Sequence, residues 1–495
     1  MKALYVISSL FFAGLLLTGC SSQPKVEWVS ETANMPWSKE KAPEAVSSDK
    51  ADVIVDTTRT AQTIQGFGSC FSELGWAAIS GLDQKSQDSI MRELYAPGVG
   101  ANFTICRMPI AANDFASDWY SYDEKAGDFN LDSFSISRDQ ISLLPFIKAA
   151  KKYRSDLKIW ASPWSPPTWM KKNGHYAMAS TAAQAKMFAK MKKDNGGNLP
   201  AGLSAMAAVN NGLPENKQGF EGTDQFILEE PYLKAYAKYF GKFIDAYKAQ
   251  GIDIFAVMPQ NEFNSAQIFP SCCWTAAGLA QFIKYLGPEM KSRNVDLFFG
   301  TMERPNAAMV DTILTDPNCA PYVKGAAFQW AGKDALPTIN QHYPKLTMIM
   351  SEQECGDGQN DWKGAEHSWD LMKHYMNNGV AIYDYWNTAL IEGIPSHWGW
   401  RQNSLVNVAY DGNAFNFTYE YYLLKLMSHY VMPGAKKIIT EGAYKDHLAF
   451  VNPDGSVVVI VANPTDAAKA VSIKVNGKTY APSLKAHSFN TLVFH

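Results

Sequence analysis

The chain of 495 residues is long enough for one large domain and a small companion, and it buries a core readily. Its composition is that of an ordinary soluble protein, 46% hydrophobic and 19% charged, with a formal net charge of −3. That balance offers no electrostatic footprint for nucleic acid or an anionic membrane surface, and it argues against both as partners. The 14 Trp, 23 Tyr and 26 Phe are flat surfaces suited both to a barrel core and to stacking on sugar rings.

The first twenty residues read as a targeting segment outside the fold. Met1-Lys2 gives a positive start and Leu4 to Leu17 an apolar stretch too short and wrongly flanked for a transmembrane helix. The closing Leu17-Thr18-Gly19-Cys20 resembles a bacterial lipobox, which makes Cys20 the lipidated first residue of the mature chain; a plain secretory signal cut elsewhere is the alternative. The expected address is that of an exported bacterial lipoprotein, at the outer membrane or cell surface or facing the periplasm, touching membrane only through its lipid. Residues 21–50, rich in Ser, Pro, Lys and Glu, read as a flexible tether. The remaining cysteines (Cys70, Cys106, Cys272, Cys273, Cys319 and Cys355) make no dense disulfide framework, and adjacent Cys272-Cys273 favours a longer link or free thiols. With neither a CxxC pair nor HExxH, no metal and no other cofactor is expected.

From there eight short apolar runs follow, each ending in polar or aromatic residues: Gln62 to Phe71, Ala101 to Pro109, Leu157 to Pro163, Ile252 to Glu262, Val295 to Met302, Val323 to Trp330, Leu346 to Glu354 and Val380 to Trp386. Helical patterns lie between them. The clearest is Pro231 to Gln250, where Leu233, Tyr236, Phe240, Ile244 and Tyr247 keep a 3.6 period between a proline start and Gly251. Strand–helix alternation repeated in this way predicts a (β/α)8 TIM barrel over residues 51–430. Glu262 and Glu352 are then three βα units of about 30 residues apart, at the ends of the fourth and seventh strands. The Gly-, Asn- and Ala-rich excursion Asn195 to Gly222 would overhang the C-terminal rim, and the lysine-rich stretch before it reads as a solvated helix face. Beyond Tyr421, alternating runs at His447 to Val451, Val457 to Asn463, Val471 to Val475 and Phe489 to Phe494 predict a side antiparallel β-sandwich over 431–495, with Val53 to Val55 as a candidate extra strand.

Two carboxylates facing each other across a barrel mouth suit glycoside hydrolysis: one protonates the leaving oxygen, the other attacks the anomeric carbon or activates water. Asn261-Glu262 supplies one. In Ser351-Glu352-Gln353-Glu354 alternation places Glu352 and Glu354 on one face, and chemistry alone does not choose between them. Trp160 to Trp169 packs three tryptophans among prolines as a stiff aromatic wall. Arg107 ends the second strand, able to orient a carboxylate, and Asp114 follows as an acceptor for sugar hydroxyls. The bland readings are core tryptophans and a private Arg107–Asp114 ion pair.

These residues resemble glycoside hydrolase family 30, the group of glucosylceramidases and microbial endo-β-1,6-glucanases, over nearly the whole mature chain. The likeness rests on Gln65-Gly66-Phe67-Gly68, Arg107-Met108-Pro109-Ile110 with Asp114-Phe115, Ala161-Ser162-Pro163-Trp164, Asn261-Glu262, Ser351-Glu352 and Trp386-Asn387, in that order. It implies a retaining enzyme with Glu262 as acid/base, Glu352 as nucleophile, Asn261 on the sugar 2-hydroxyl, and Arg107, Asp114, Trp164 and Trp386 lining the first sugar subsite. Gln329-Trp330 stands where glucosylceramidases carry a His after the sixth strand, and joins the substrate-binding set. Phe263 follows the acid/base where many members have Pro. The run Glu352-Gln353-Glu354-Cys355-Gly356-Asp357-Gly358 and the long excursion also differ from the glucosylceramidase pattern and look closer to the β-1,6-glucan branch. The expected protein is a monomeric, cofactor-free endo-β-1,6-glucanase acting on β-glucan; an exo-acting β-glucosidase or glucosylceramidase-like enzyme, and an inactive glycan-binding lipoprotein, are the alternatives.

Overall fold

The structure is a computed structural model that describes residues 25–48, 50–194, 196–197 and 209–495. The targeting segment with Cys20, and part of the Asn195 to Gly222 excursion, lie outside the described residues.

Eight parallel strands close into a barrel in chain order: Gly66–Cys70, Ile105–Ile110, Lys158–Pro163, Ile254–Val257, Asp296–Met302, Val323–Gln329, Thr347–Glu352 and Val380–Asn387. Each coincides with one of the apolar runs, the second and eighth strands overrunning theirs by one residue, because strands buried on both faces read as continuous hydrophobic sequence. The barrel interior is filled, not open: Ile105, Trp160, Ala256, Phe298, Ala327, Ile349 and Ile382, one from each of seven strands, form a buried cluster at its centre. The first strand must pass close to the second. A Cβ on Gly68 would fall 1.5 Å from the carbonyl oxygen of Ile105, so no side chain fits there.

The helix Glu230–Ala249 carries Pro231 in its first turn and buries Leu233, Tyr236, Phe240, Ile244 and Tyr247, as its periodicity predicts. The helix Thr181–Asp194 turns its lysines to solvent. All six cysteines after Cys20 are buried free thiols.

Beside the barrel, His447–Val451, Val457–Asn463 and Ser488–Phe494 form the centre of a seven-stranded antiparallel sheet, and Val53–Val55 pairs with Ile473–Val475 in a four-stranded partner sheet. Val53, Val459, Val461, Ile473, Leu484 and Leu492 meet in the core between them. The tether expectation fails here. Val26–Thr32 pairs along its length with Ser488–Phe494, Met35–Lys39 folds back onto it, and Ala45–Val46 joins the partner sheet. The polar composition of residues 21–50 as a whole conceals a run, Val26-Glu27-Trp28-Val29, that is apolar enough to complete the sandwich.

Candidate active site

Strand register builds the site. Arg107 on the second strand lies level with Trp160 on the third, and Gln329 on the sixth lies level with Glu352 on the seventh. The strand ends therefore converge at one height on the C-terminal rim, where barrels of this type assemble their chemistry.

Arg107 is at the centre and fully buried. It donates through Nη1 to Glu352 Oε2 (2.7 Å) and the Ser351 carbonyl (3.0 Å), and through Nη2 to Asn261 Oδ1 (2.7 Å) and Ser162 Oγ (3.0 Å). Its guanidinium carbon lies 4.3 Å from the Trp164 ring centroid and 5.3 Å from that of Trp386; the two indoles stack with centroids 5.3 Å apart. Arginine is the residue for this position because one planar fork serves several acceptors while its faces pack on aromatic rings. The Arg107–Asp114 pair does not form.

Asn261 Oδ1 also accepts from Thr301 Oγ1 (3.1 Å) and Gln329 Nε2 (3.4 Å). With its oxygen committed, its amide NH2 has no partner among the described residues and is available to a substrate hydroxyl. Glu262 follows in the left-handed region at φ 41°, with its backbone N–H donating to Thr301 Oγ1 (2.8 Å). A non-glycine residue held there is costly, and such geometry concentrates at functional positions. Trp330, at φ 47°, makes the equivalent turn after the sixth strand.

The two glutamates are almost equally buried, exposing 6% and 5%, yet their partners differ. Among the described residues Glu262 accepts only from neutral amides, Gln329 Nε2 (3.1 Å) and Gln267 Nε2 (3.4 Å). Burial, then the charge of Glu352, push its carboxyl up to about 7. Burial raises Glu352 too, but there the Arg107 charge and hydrogen bonds from Arg107, Trp330 and Gln329 oppose it. Asp114 is buried and held well above the usual carboxylate range by desolvation and by both glutamates, and its Oδ1 has no hydrogen-bond partner.

Glu354 is not part of this group. Lys333 Nζ donates to its Oε1 (2.8 Å) and His367 Nε2 lies 3.0 Å from its Oε2, which together hold its carboxyl below the ordinary value despite burial. The alternation argument misplaces it because the strand ends at Glu352 and the chain then turns. The three-tryptophan wall divides likewise. Trp160 fills the barrel interior and donates to Asp384 Oδ2 (2.6 Å), Trp164 lines the site, and Trp169 packs against Phe129 and Tyr232. Phe263 packs on Phe299. Ser162, Gln267 and Thr301 belong to the site's hydrogen-bond network and escape sequence reasoning; only Ser162 stands within a motif, and without a role.

A closed parallel barrel presenting two buried, mutually repelling carboxyls at the ends of its fourth and seventh strands has the architecture of a glycosidase. The profile of the glycosyl hydrolase family 30 TIM-barrel domain matches residues 64–187 and 215–420, and that of the family's beta sandwich domain matches 434–492. The chain belongs to glycoside hydrolase family 30 and is a β-glycoside hydrolase. It is 26% identical to the lysosomal acid glucosylceramidase of Mus musculus, over 86% of this chain and 81% of that one. It is also 26% identical to the endo-1,6-beta-D-glucanase neg1 of Aspergillus fumigatus, over 87% and 85%. In fold it resembles the endo-beta1,6-glucanase BT3312, with a TM-score of 0.75 at 21% identity, covering 95% of this chain and 99% of that one.

Proposed function

We propose that the chain is a retaining endo-β-1,6-glucanase in which Glu352 is the nucleophile and Glu262 the acid/base. The observation that carries the assignment of roles is that Arg107 contacts Glu352 and not Glu262. A carboxyl bonded to a fixed cation stays ionised and ready to attack; one raised to about 7 by burial and a neighbouring charge holds its proton and can donate it. In the first step Glu262 gives its proton to the glycosidic oxygen while Glu352 bonds to the anomeric carbon and the leaving sugar departs. Glu352, now an uncharged ester, no longer raises Glu262, which then takes a proton from the incoming water as the ester bond breaks. The free amide of Asn261 serves the sugar 2-hydroxyl, and Arg107, Asp114, Trp164, Gln329, Trp330 and Trp386 wall the first subsite.

A β-1,6-glucan substrate is supported by the endo-1,6-glucanase relative and by Gln329-Trp330 at the end of the sixth strand. We place the enzyme as an exported lipoprotein held by a lipid at Cys20, at the outer membrane or cell surface or facing the periplasm. Product analysis on β-1,6-glucan, an aryl β-glucoside and glucosylceramide tests the reading. Short β-1,6-linked oligosaccharides are expected, and none from Glu352→Gln. Glucose released only from the two small substrates would make it an exo-glycosidase, and product of inverted anomeric configuration would refute the double displacement.

A further inference from the structure

After the eighth barrel strand the chain leaves the rim as a small sheet. Ala389–Ile391 pairs with Val406–Val408, which pairs antiparallel with Phe415–Phe417. This sheet, the loop after the seventh strand at Asn360, and the tip of the N-terminal hairpin at Ala33 enclose a cleft of about 720 Å³, a size ordinary for a ligand site. Tyr419 fixes one wall by donating from its hydroxyl to the Ala33 carbonyl (3.1 Å).

Its lining is chemically selective. Phe415, Phe417 and Tyr422 form a half-buried aromatic ridge, with Phe417 edge-on to both neighbours at 5.7 and 6.4 Å. The amides of Asn360, Asn407 and Asn416 complete the lining. Asn407 and Asn416 sit directly opposite in register, Asn407 donating through its amide nitrogen to Asn416 Oδ1 (3.5 Å), and Asn360 Oδ1 accepts from the Ser404 backbone (3.0 Å), leaving its NH2 unpaired among the described residues. No residue lining the cleft carries a charge at neutral pH. By contrast, the cleft beside Trp76 is bridged by the Glu73–Arg138 ion pair. Flat apolar faces beside carboxamides, without charge, match a neutral sugar: its C–H faces stack and its hydroxyls both donate and accept. A peptide, nucleic acid or phospholipid headgroup would meet no counter-charge here.

We propose that this cleft is a second carbohydrate-binding site, separate from the catalytic centre, that holds another stretch of the neutral polysaccharide being cut. The identity of that polysaccharide rests on the function proposed above; the site itself does not. Both loops that build it spring from the C-terminal ends of catalytic strands, the seventh and eighth, so a bound chain stays beside the rim.

The test compares the full chain with two cleft variants, Phe415→Ala and the double variant Asn407→Ala/Asn416→Ala. In a Glu352→Gln background, retardation in native gels containing β-1,6-glucan should weaken about fivefold for each stacking or hydrogen-bonding contact removed. With Glu352 intact, KM on the polymer should rise while hydrolysis of the aryl β-glucoside and the unfolding midpoint stay unchanged, which rules out misfolding. If β-1,6-glucan is not a substrate, the same gels are run with β-1,3-glucan, xylan and mannan. Cleft-dependent retention by any of these upholds the site though the substrate reading fails. Retention unaffected by the cleft variants across all four glycans overturns it, even if β-1,6-glucan is degraded.

Discussion

The ends of the fourth and seventh strands offer the same residue, at nearly the same burial, in opposite electrostatic company. Glu352 lies against a guanidinium that Ser162, Asn261 and the Ser351 carbonyl hold in place, whereas Glu262 sees two carboxamides and the charge of Glu352. Burial alone would raise both and leave the roles undefined. The contrast teaches that the division of labour between acid and nucleophile is written in the second residue each carboxyl touches.

Removing either carboxyl is the severest way to break that contrast. Glu352→Gln should lower kcat by about 10⁴-fold or more, since no ester can form, and in Glu352→Ala, where truncation leaves room for it, added azide should restore turnover with inverted product. Glu262→Gln should cost about 10²–10⁴-fold on β-glucan. It should also abolish the fall in kcat/KM above about pH 7 that loss of the Glu262 proton gives the wild type. A pH–rate profile that keeps that limb would move the acid elsewhere. Arg107→Gln makes the two ends alike. It leaves Glu352 buried without its cation, for which a loss of about 3–5 kcal/mol in denaturant unfolding is expected, with the acidic limb of the rate profile displaced upward.

Smaller effects sharpen the comparison. Glu262 and Glu420 both titrate at about 7 in the fold because burial disfavours their charge. A raised carboxyl binds its proton more tightly folded than unfolded, so its contribution is complete below the ordinary value and is lost as pH climbs through about 7. Stability at pH 5 should therefore exceed that at pH 8 by on the order of 1–3 kcal/mol for each such group, read by thermal unfolding, and less so in Glu262→Gln. The mildest change is Glu354→Gln. It breaks a partly exposed contact with Lys333 and His367, should cost about 1 kcal/mol or less, and should leave turnover intact.

Much of this was legible in the chain because barrel strands are local: each is one apolar run, and its end marks the rim. That logic finds Arg107, Asn261, Glu262 and Glu352 together, and Gln329 enters only through the family resemblance. It does not say which atoms meet. Thr301 and Ser162 come from neighbouring strands, and their place is fixed by register, which sequence periodicity leaves open. Glu354 shows the converse error, where period-2 alternation is carried two residues beyond the strand that sustains it. The N-terminal strand was hidden for a third reason. Val26–Thr32 pairs with residues more than four hundred positions away, and no local pattern encodes a partner that distant.

That pairing bears on how the enzyme is handled. A recombinant chain begun at residue 51, where composition places the domain boundary, would lack Val26–Thr32, the strand that pairs with Ser488–Phe494, and Met35–Lys39 beyond it. It would turn a central strand of sequence SFNTLVF into a bare edge. Unpaired edges of that kind template association between copies. Such a chain would retain every residue of the catalytic centre and be lost to inclusion bodies, whereas one begun before Val26 would remain in solution.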